Sequence, residues 1–268
     1  MKIRKNRNHS KTKNLSFPNA LVGNPNKVVT GPPTKTFGGD SFGISSNKLS
    51  NPNHSDWNRF WNDDSTQKFT QVSWSKRRIL RVLKPYVVSQ QRALDAGCGS
   101  GFFSKYFCDE GMSTVSLDYS SGALEIASRA SAGRAKIVQK DLLTDDIAKD
   151  LDGRFDLIFS DGLLEHFSSH DQDRILQNLK AILNPQGVLI TFVPNRFSPW
   201  ELIRPWFMPG IEETPFVLKE LIDLNQRNGF KVMAKGGVNT FPLVFSPDRF
   251  LGAAFGMLLY TIAKKDAG

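Results

Sequence analysis

The chain has 268 residues, of which 40% are hydrophobic and 11% aromatic, so it can bury a substantial core. Its two cysteines, Cys98 and Cys108, exclude a disulfide framework and a zinc ribbon and indicate a reducing compartment, which we take to be the cytoplasm. The net charge of +9 is unevenly distributed, because residues 1–55 hold nine Lys/Arg and one acid whereas residues 56–268 are nearly neutral. The longest apolar stretch, 250–263, is too short to cross a bilayer, so we predict no transmembrane segment.

The segment 1–55 is rich in Asn, Ser, Gly and Pro and has neither a helical nor an alternating hydrophobic period. Such a segment cannot bury enough apolar surface to offset the entropy of ordering it, so we predict a disordered basic tail. Its cations could contact RNA, an anionic membrane or an organellar import receptor weakly, or could serve only to keep the chain soluble. The remainder, 56–268, is predicted to form one domain.

Two amphipathic helical patterns open this domain, within residues 56–90. In the first, Trp57, Phe60 and Trp61 share one aromatic face, which we expect to serve packing rather than function. The second covers residues 76–84 and ends before a proline.

Beyond residue 90, short apolar runs alternate with helical patterns. We predict strands at 92–96, 113–118, 135–140, 155–160, 187–193, 230–236 and 257–264, and helices at 102–110, 122–130, 171–183 and 216–228. Strand, helix and strand at this spacing require right-handed crossovers and give a parallel sheet with helices on both faces. The predicted fold class is therefore α/β, a doubly wound Rossmann-like sheet whose ligand lies at the carboxyl ends of the strands, beside the first strand.

A glycine-rich turn joins the first of these strands to the next helix. Its three glycines, Gly97, Gly99 and Gly101, alternate with other residues, and their missing Cβ atoms let the turn close and let a ligand lie against the backbone. Dinucleotide-binding loops space their glycines G-x-G-x-x-G, and the place of that third glycine is occupied here by Phe102. A nicotinamide-dependent dehydrogenase is therefore a remote alternative.

The sequence around this turn, LDAGCGSG, resembles the first motif of the class I S-adenosylmethionine-dependent methyltransferases. Further motifs follow in the family's order across residues 92–195: LDYSSGALEIA, QKDLL, FDLIFSDGLLEHF and LNPQGVLITFVPN. The resemblance implies a seven-stranded, mostly parallel sheet in the order 3-2-1-4-5-7-6, with the last strand antiparallel. It also implies an enzyme that uses S-adenosyl-L-methionine.

The same resemblance implies which residues bind the cofactor. The three loop glycines would line its methionine portion, with Asp95 ordering the loop or binding the amine. Asp118 would accept hydrogen bonds from both ribose hydroxyls, which suits a carboxylate with its two acceptor oxygens. Tyr119 would lie against the adenine, and Asp141 would accept from the exocyclic amine with Leu142 packed alongside.

Catalytic candidates follow the fourth predicted strand. In methyl transfer the methyl donor is already activated, so the enzyme aligns the reactants and removes a proton from an acceptor that carries one. Asp161, Glu165 and His166 could take that proton, and a structural role for His166 is the alternative. Related quinone-biosynthesis O-methyltransferases bind a divalent metal at such positions, but only Glu165 and His166 adjoin in this chain, so we predict no metal site.

Motifs that this sequence lacks narrow the range of possible acceptors. It has neither the Asn-Pro-Pro-Tyr type motif of amino-directed DNA methyltransferases nor a Pro-Cys motif, which favours a small organic or lipid-like acceptor and leaves O-, N- and C-methylation open. The insertion at 194–215 is expected to form a lid through Arg196, Trp200 and Trp206, and a packed loop remote from the substrate is the alternative. An RNA or protein methyltransferase guided by the tail, and a noncatalytic cofactor-binding scaffold, remain the other hypotheses.

Overall fold

The computed structural model describes residues 57, 60–62, 66, 69–143, 147–207, 213–241 and 246–266, including their side chains except at 205–207. The predicted tail at 1–55 lies outside the described residues, as do residues 208–212 of the predicted lid. In the described part of the chain, no helix combines the length and the apolar character that crossing a bilayer requires.

Within the described residues, seven strands form one sheet in the order β3-β2-β1-β4-β5-β7-β6. The strands are β1 (Arg92–Ala96), β2 (Ser113–Asp118), β3 (Lys136–Gln139), β4 (Phe155–Asp161), β5 (Leu183–Pro194), β6 (Phe230–Val238) and β7 (Leu258–Lys265). β1 to β5 pair in parallel, whereas β7 runs antiparallel to both β5 and β6. The strand order and the reversed last strand confirm the predicted fold class.

Helices connect the strands. They are α1 (Trp74–Leu83), α2 (Phe102–Asp109), α3 (Ser121–Ala130), α4 (Ile147–Asp150), α5 (Ser169–Ile182), α6 (Trp200–Phe207), α7 (Leu218–Arg227) and α8 (Asp248–Phe255). Serine side chains cap three of them, because Ser73, Ser120 and Ser168 each accept a hydrogen bond from a backbone N–H of the first turn. The cap at Ser168 explains why α5 begins two residues before the predicted start at 171.

The sheet separates two hydrophobic cores. Along β4, Leu157 and Phe159 belong to the core under α1 and α2, whereas Ile158 belongs to the core under α5 and α7. This alternation is the period of a strand that is buried on both faces, which a parallel sheet covered by helices requires. The layered arrangement leaves the carboxyl ends of the strands as the place where a ligand can enter.

Most predicted boundaries agree with the structure to within two residues, and the start of β5 is the main exception. The fifth strand was predicted to begin at 187, but β5 already begins at Leu183. Its pairing with β4 shifts register between Phe155 and Leu157, so the extra residues are absorbed as an irregularity within the strand.

Candidate active site

A cavity of about 460 Å³ lies at the carboxyl ends of β1, β2, β4 and β5. Its wall includes Asp118 at the end of β2, Asp161 at the end of β4 and Pro194 at the end of β5, together with the glycine turn that follows β1. The volume is typical of a small-molecule site, and the position is the one that a doubly wound sheet offers to its ligand.

The glycine turn depends on backbone conformations that favour glycine. Gly97, Gly99 and Gly101 have φ values of +71°, +48° and +67°. A Cβ at Gly99 would lie 2.7 Å from the ring of Trp61, and Gly97 and Gly99 both line the cavity. These two glycines therefore occupy the positions that were predicted to lie against the cofactor.

Gly101 does not line the cavity, contrary to the prediction. A Cβ at this position would lie 2.4 Å from the Cα of Ala127, so the missing side chain lets the turn pack directly on α3. Its backbone N–H also donates to the carbonyl of Cys98 at 2.8 Å, which closes the turn. The third glycine thus serves helix packing, which the spacing of glycines alone does not reveal.

Asp118 holds the glycine turn as well as facing the cavity. One carboxylate oxygen accepts from the N–H of Gly99 and the other from the N–H of Ser120, each at 2.9 Å. Burial raises the pKa of Asp118, while its bonds with the N–H groups of Ser120 and Gly99 act in the opposite direction. Each oxygen keeps a further lone pair with which it can accept a bond from a ligand hydroxyl.

The other residues predicted to surround the adenine also meet at the cavity. Tyr119, Asp141 and Leu142 all belong to its wall. Leu142 is buried, and Asp141 accepts a hydrogen bond from the N–H of Leu143 at 2.9 Å. The structure therefore brings together these side chains from the ends of β2 and β3, and their role toward the adenine stays a prediction.

Two carboxylates of the cavity wall, the buried Asp95 and the partly buried Asp161, have raised pKa values. Burial raises the pKa of Asp95 to about 7, with the charges of Asp161 and Asp118 adding to the shift and a 2.6 Å bond from Ser104 Oγ opposing it. Burial likewise raises the pKa of Asp161 to about 6, against the opposing charge of Lys76. A cationic ligand would stabilise the ionised form of both groups, which fits the sulfonium and the amine of S-adenosylmethionine.

Several wall residues were not predicted from the sequence. Lys76 on α1 lines the cavity, with its ammonium group 4.2 Å from the ring centroid of Phe102 and its pKa lowered to about 8 by burial, an effect that the charge of Asp161 opposes. Trp57 and Trp61, expected only to pack, also belong to the wall. In the sequence, only the position of Lys76 on an amphipathic helix could have pointed to it.

The predicted catalytic pair lies on a 3₁₀ turn, Leu164–His166, directly after β4. The His166 ring meets the ring of Trp57 edge-on at 4.7 Å between centroids, and its Nε2 lies 3.9 Å from a carboxylate oxygen of Glu165. Burial raises the pKa of Glu165 well above its usual range, and the nearby charge of Glu213 acts in the same direction. Glu165 Oε2 is buried without a hydrogen-bond partner among the described residues.

Glu213 adds a third donor group that the sequence analysis did not include. The N–H of Thr214 donates to the carbonyl of Glu165 at 2.8 Å, which places Glu213 beside the pair. Donor atoms of Glu165, His166 and Glu213 lie within 4.8 Å of one another, so this set could hold a divalent cation. Arg204, with its Nε 2.7 Å from Glu213, already compensates part of that charge.

The predicted lid residues take different places. Trp200 lines the cavity as expected. Arg196 does not, because its half-exposed guanidinium binds both carboxylate oxygens of Glu220 at 3.0 to 3.1 Å and the carbonyl of Pro215. The side chain of Trp206 lies outside the described ones.

A family model described as a methyltransferase domain matches residues 66–235 of this chain. The chain belongs to this methyltransferase family. Solved structures of S-adenosylmethionine-dependent methyltransferases share its fold, and together with the domain match they support S-adenosyl-L-methionine as the cofactor. The prediction of a class I S-adenosylmethionine-dependent methyltransferase is confirmed.

Two curated relatives illustrate the range of the family. The ubiquinone biosynthesis O-methyltransferase of Pelagibacter ubique is 27% identical over 55% of this chain and 65% of its own length. The malonyl-[acyl-carrier protein] O-methyltransferase of Enterobacter lignolyticus is 35% identical over 49% of this chain and 51% of its own length. The methyltransferase chain thus spans about half to two thirds of the length of the relatives it matches.

Solved structures agree on the fold. A methyltransferase from Anabaena variabilis is 18% identical, with a TM-score of 0.59 and coverage of 82% of this chain and 100% of its own. The magnesium protoporphyrin IX methyltransferase of Synechocystis, solved with S-adenosylhomocysteine, is 16% identical, with a TM-score of 0.54 and coverage of 81% and 96%. At these identities the likeness is one of fold.

Proposed function

We propose that this methyltransferase transfers the methyl group of S-adenosyl-L-methionine to an oxygen atom of a small organic acceptor. The observation that carries the proposal is the division of one cavity between two kinds of wall. The glycine turn and Asp118 form one part of the wall, which we call the cofactor part. Trp57, Trp200 and Leu258 form an aromatic and apolar part, which we call the acceptor part. Both curated relatives described above are named as O-methyltransferases, which supports an oxygen acceptor.

At the cofactor part of the cavity, the bound cofactor supplies a methyl group that is activated on a positively charged sulfur. Asp118 accepts bonds from the ribose hydroxyls with the lone pairs that Gly99 and Ser120 leave unused. Tyr119 and Leu142 flank the adenine, and Asp141 accepts a bond from its amino group.

Charges along the wall match the charges of the same ligand. Asp95 is a buried and Asp161 a partly buried carboxylate, and a cation stabilises both in their ionised form. Lys76 is a partly buried cation of the same wall whose ammonium group also donates to the carbonyls of Phe69 and Gln71, and it pairs with the ligand's carboxylate. These side chains fix the direction in which the methyl group faces.

At the acceptor part, His166 takes the proton from the acceptor hydroxyl as the methyl group arrives. The ring of Trp57 limits the rotation of the imidazole by its edge-on contact. Burial raises the pKa of Glu165 and so favours its neutral form, which makes it a weaker candidate for the base than His166. The two adjacent residues thus have separate roles, set by their surroundings.

The charge of the acceptor part favours a small acceptor over RNA. Asp161 and Glu213 belong to this wall, and ionised carboxylates repel the phosphates of a nucleic acid. The apolar residues Trp57, Phe167 and Met257 instead offer contact area to a ring or an aliphatic body.

The test is a transfer assay with isotope-labelled S-adenosylmethionine and a panel of phenols, hydroxylated lipids and carboxylic acids, with RNA and protein as comparison substrates. We expect S-adenosylhomocysteine to form with a small hydroxylated acceptor. His166→Gln should lower kcat by about 10² to 10⁴ while calorimetric binding of S-adenosylhomocysteine stays unchanged. Transfer to RNA or protein alone would reject the acceptor class, and cofactor binding without any transfer would indicate a noncatalytic scaffold.

A further inference from the structure

Large apolar side chains are exposed on α6 and α8, two helices whose neighbours in the chain line the acceptor part of the cavity. On α8, Phe250 is 82% and Phe255 49% exposed, and on α6 Leu202 is 80% exposed. We call this surface the apolar rim, and it consists of Phe197, Leu202, Ile203, Phe250, Leu251 and Phe255. A concentration of exposed apolar residues of this kind marks an interaction surface.

Helix α8 is attached to the sheet in a way that keeps its apolar side chains outside. A Cβ on either Gly237 of β6 or Gly252 of α8 would lie within 2.0 Å of the other residue's carbonyl oxygen, so the two backbones touch. Gly252 is buried by this contact, while Phe250, Leu251 and Phe255 remain exposed. The apolar side chains of α8 are therefore not needed to hold the helix in place.

The charges of α8 are arranged just as asymmetrically. Asp248 faces the protein, since its carboxylate accepts from the N–H of Thr240 at 2.9 Å and lies 3.6 Å from the guanidinium of Arg78. Arg249, in contrast, is exposed. The outer surface of α8 thus combines apolar side chains with a cation.

Asn195 joins α8 to the segment that leads into α6. Its buried side-chain amide donates to the carbonyls of Ala254 at 3.1 Å and Gly256 at 2.9 Å. Its amide oxygen accepts from the N–H of Phe197 at 3.1 Å. Asn195 therefore ties the backbone before α6 to the C-terminal end of α8, so one polar side chain joins the two segments that carry the apolar rim.

The elements of the apolar rim also build the wall of the cavity. Trp200 lies on α6, two residues before Leu202, and lines the cavity. Met257 and Leu258 follow α8 directly and line it too. A molecule that enters along the rim therefore meets the acceptor part of the cavity.

We propose that the apolar rim inserts into an anionic lipid surface and that the acceptor reaches the cavity from that surface. The proposal rests on the proposed function and specifies its acceptor as a lipid-like molecule. An apolar face that carries an exposed cation is the pattern of interfacial membrane binding, and Arg249 supplies that cation on α8. The net charge of +9 of the whole chain also favours an anionic surface. A second copy of the chain would bring the same positive charges, which disfavours it as the occupant.

Co-sedimentation of the full chain with vesicles tests the proposal. We expect binding to phosphatidylcholine vesicles that contain phosphatidylglycerol and much weaker binding to phosphatidylcholine alone. The double substitution Phe250→Glu and Phe255→Glu should reduce binding at least about tenfold, because it removes apolar contacts and adds charges that anionic lipid repels. Leu202→Glu, on a different helix, should weaken binding in the same direction.

Val88→Glu is the matched control. Val88 is 46% exposed but precedes β1, at the opposite end of the sheet, so its substitution should leave vesicle binding unchanged. Vesicle binding by the double variant equal to that of the unsubstituted chain overturns the proposal. So does a lipid-free dimer, detected by ultracentrifugation, that the double variant abolishes, because a second copy then covers the rim. Vesicle binding without methyl transfer to any acceptor would instead reject the proposed function and leave the docking surface standing.

Discussion

Asp118 performs two tasks with one carboxylate. It fixes the glycine turn through the N–H groups of Gly99 and Ser120, and it faces the cavity where the ribose is proposed to bind. A side chain with two oxygens and about four acceptor positions can do both, whereas a hydroxyl or an amide cannot. This shared use explains why an acid at the end of the second strand accompanies a glycine turn after the first.

Replacing Asp118 with Ala should lower the affinity for S-adenosylhomocysteine at least about tenfold, because each hydrogen bond to a charged group contributes roughly 1.5 to 3 kcal/mol. Calorimetry measures the loss, and NAD should not bind to either form. Asp118→Asn, which keeps one acceptor oxygen, should fall between the two. Unchanged affinity in a variant that still unfolds cooperatively would show that the ribose is held elsewhere.

Asp95 gives the apoprotein a pH-dependent stability. Its pKa is raised from 3.8 to about 7 in the folded chain, so the folded state prefers the neutral carboxyl group. The contribution of this group to the free energy of unfolding is therefore fully present below about pH 4 and is lost as the pH rises through 7. Urea unfolding between pH 4.5 and 7.5 should therefore show a smaller decline for Asp95→Asn, with a difference on the order of 4 kcal/mol at most. Parallel pH profiles for the two proteins would contradict the assignment.

At the scale of elements, close contacts between backbones decide where glycine is required. The turn after β1 packs on α3 through Gly101, and α8 packs on β6 through Gly252 and Gly237. In both places a methyl group would meet backbone atoms, which cannot move aside as a flexible side chain can. Such contacts join elements that the sequence pattern predicts separately, so a pattern of glycines does not distinguish a ligand contact from a packing contact.

Gly101→Ala and Gly133→Ala distinguish the cost of backbone strain from the cost of overpacking. Both glycines have a positive φ, +67° and +69°, but a Cβ at Gly133 meets nothing within 4 Å. Gly133→Ala should lower the free energy of unfolding by roughly 1 to 2 kcal/mol through backbone strain alone. Gly101→Ala should cost at least about 1 to 3 kcal/mol more because of overpacking against Ala127. Denaturant unfolding measures both, and equal losses would show that the contact with α3 relaxes.

Two residues of the lid segment are expected to have different roles, Trp200 in binding the acceptor and Arg196 in a surface ion pair. Trp200→Ala should raise the KM for the acceptor at least about tenfold, because an indole that lines the cavity is lost. Arg196→Ala should leave kcat and KM unchanged and alter the free energy of unfolding by less than about 1 kcal/mol, as for other exposed ion pairs. A larger effect of Arg196→Ala on kcat or KM would show that Arg196 acts in the active site.

Over the whole molecule, the positions of the strands could be predicted because each parallel strand is a short apolar run with turn residues on both sides, whereas their order was implied by the family resemblance. The resemblance also implied the cofactor residues Asp95, Asp118 and Asp141, which lie at or just after the carboxyl ends of β1, β2 and β3 and so at one edge of the sheet. Lys76 and Glu213 were not predictable, because each reaches the cavity from a segment outside this repeat of strand and helix. Tertiary packing, which local patterns do not encode, brings them there.

The basic segment 1–55 allows the last prediction, at the scale of the whole chain. Both hydrophobic cores draw their residues from position 79 onward, so deleting 1–55 should leave thermal unfolding and the affinity for S-adenosylhomocysteine nearly unchanged. Turnover of a small acceptor should persist as well, because Trp57 and Trp61 of the cavity wall are retained.

Vesicle binding should change in a specific way in this deletion variant. The loss of eight net positive charges should remove most of the salt-dependent part of binding to anionic vesicles, because salt screens exposed charges over about 10 Å at 0.1 M. The part that depends on Phe250 and Phe255 should remain, since it arises from apolar contact. Co-sedimentation at low and high salt distinguishes the two contributions.

A deletion that unfolds the domain would refute the disordered-tail prediction, whereas one that abolishes turnover of a small acceptor would mean that part of 37–49 closes over the active site.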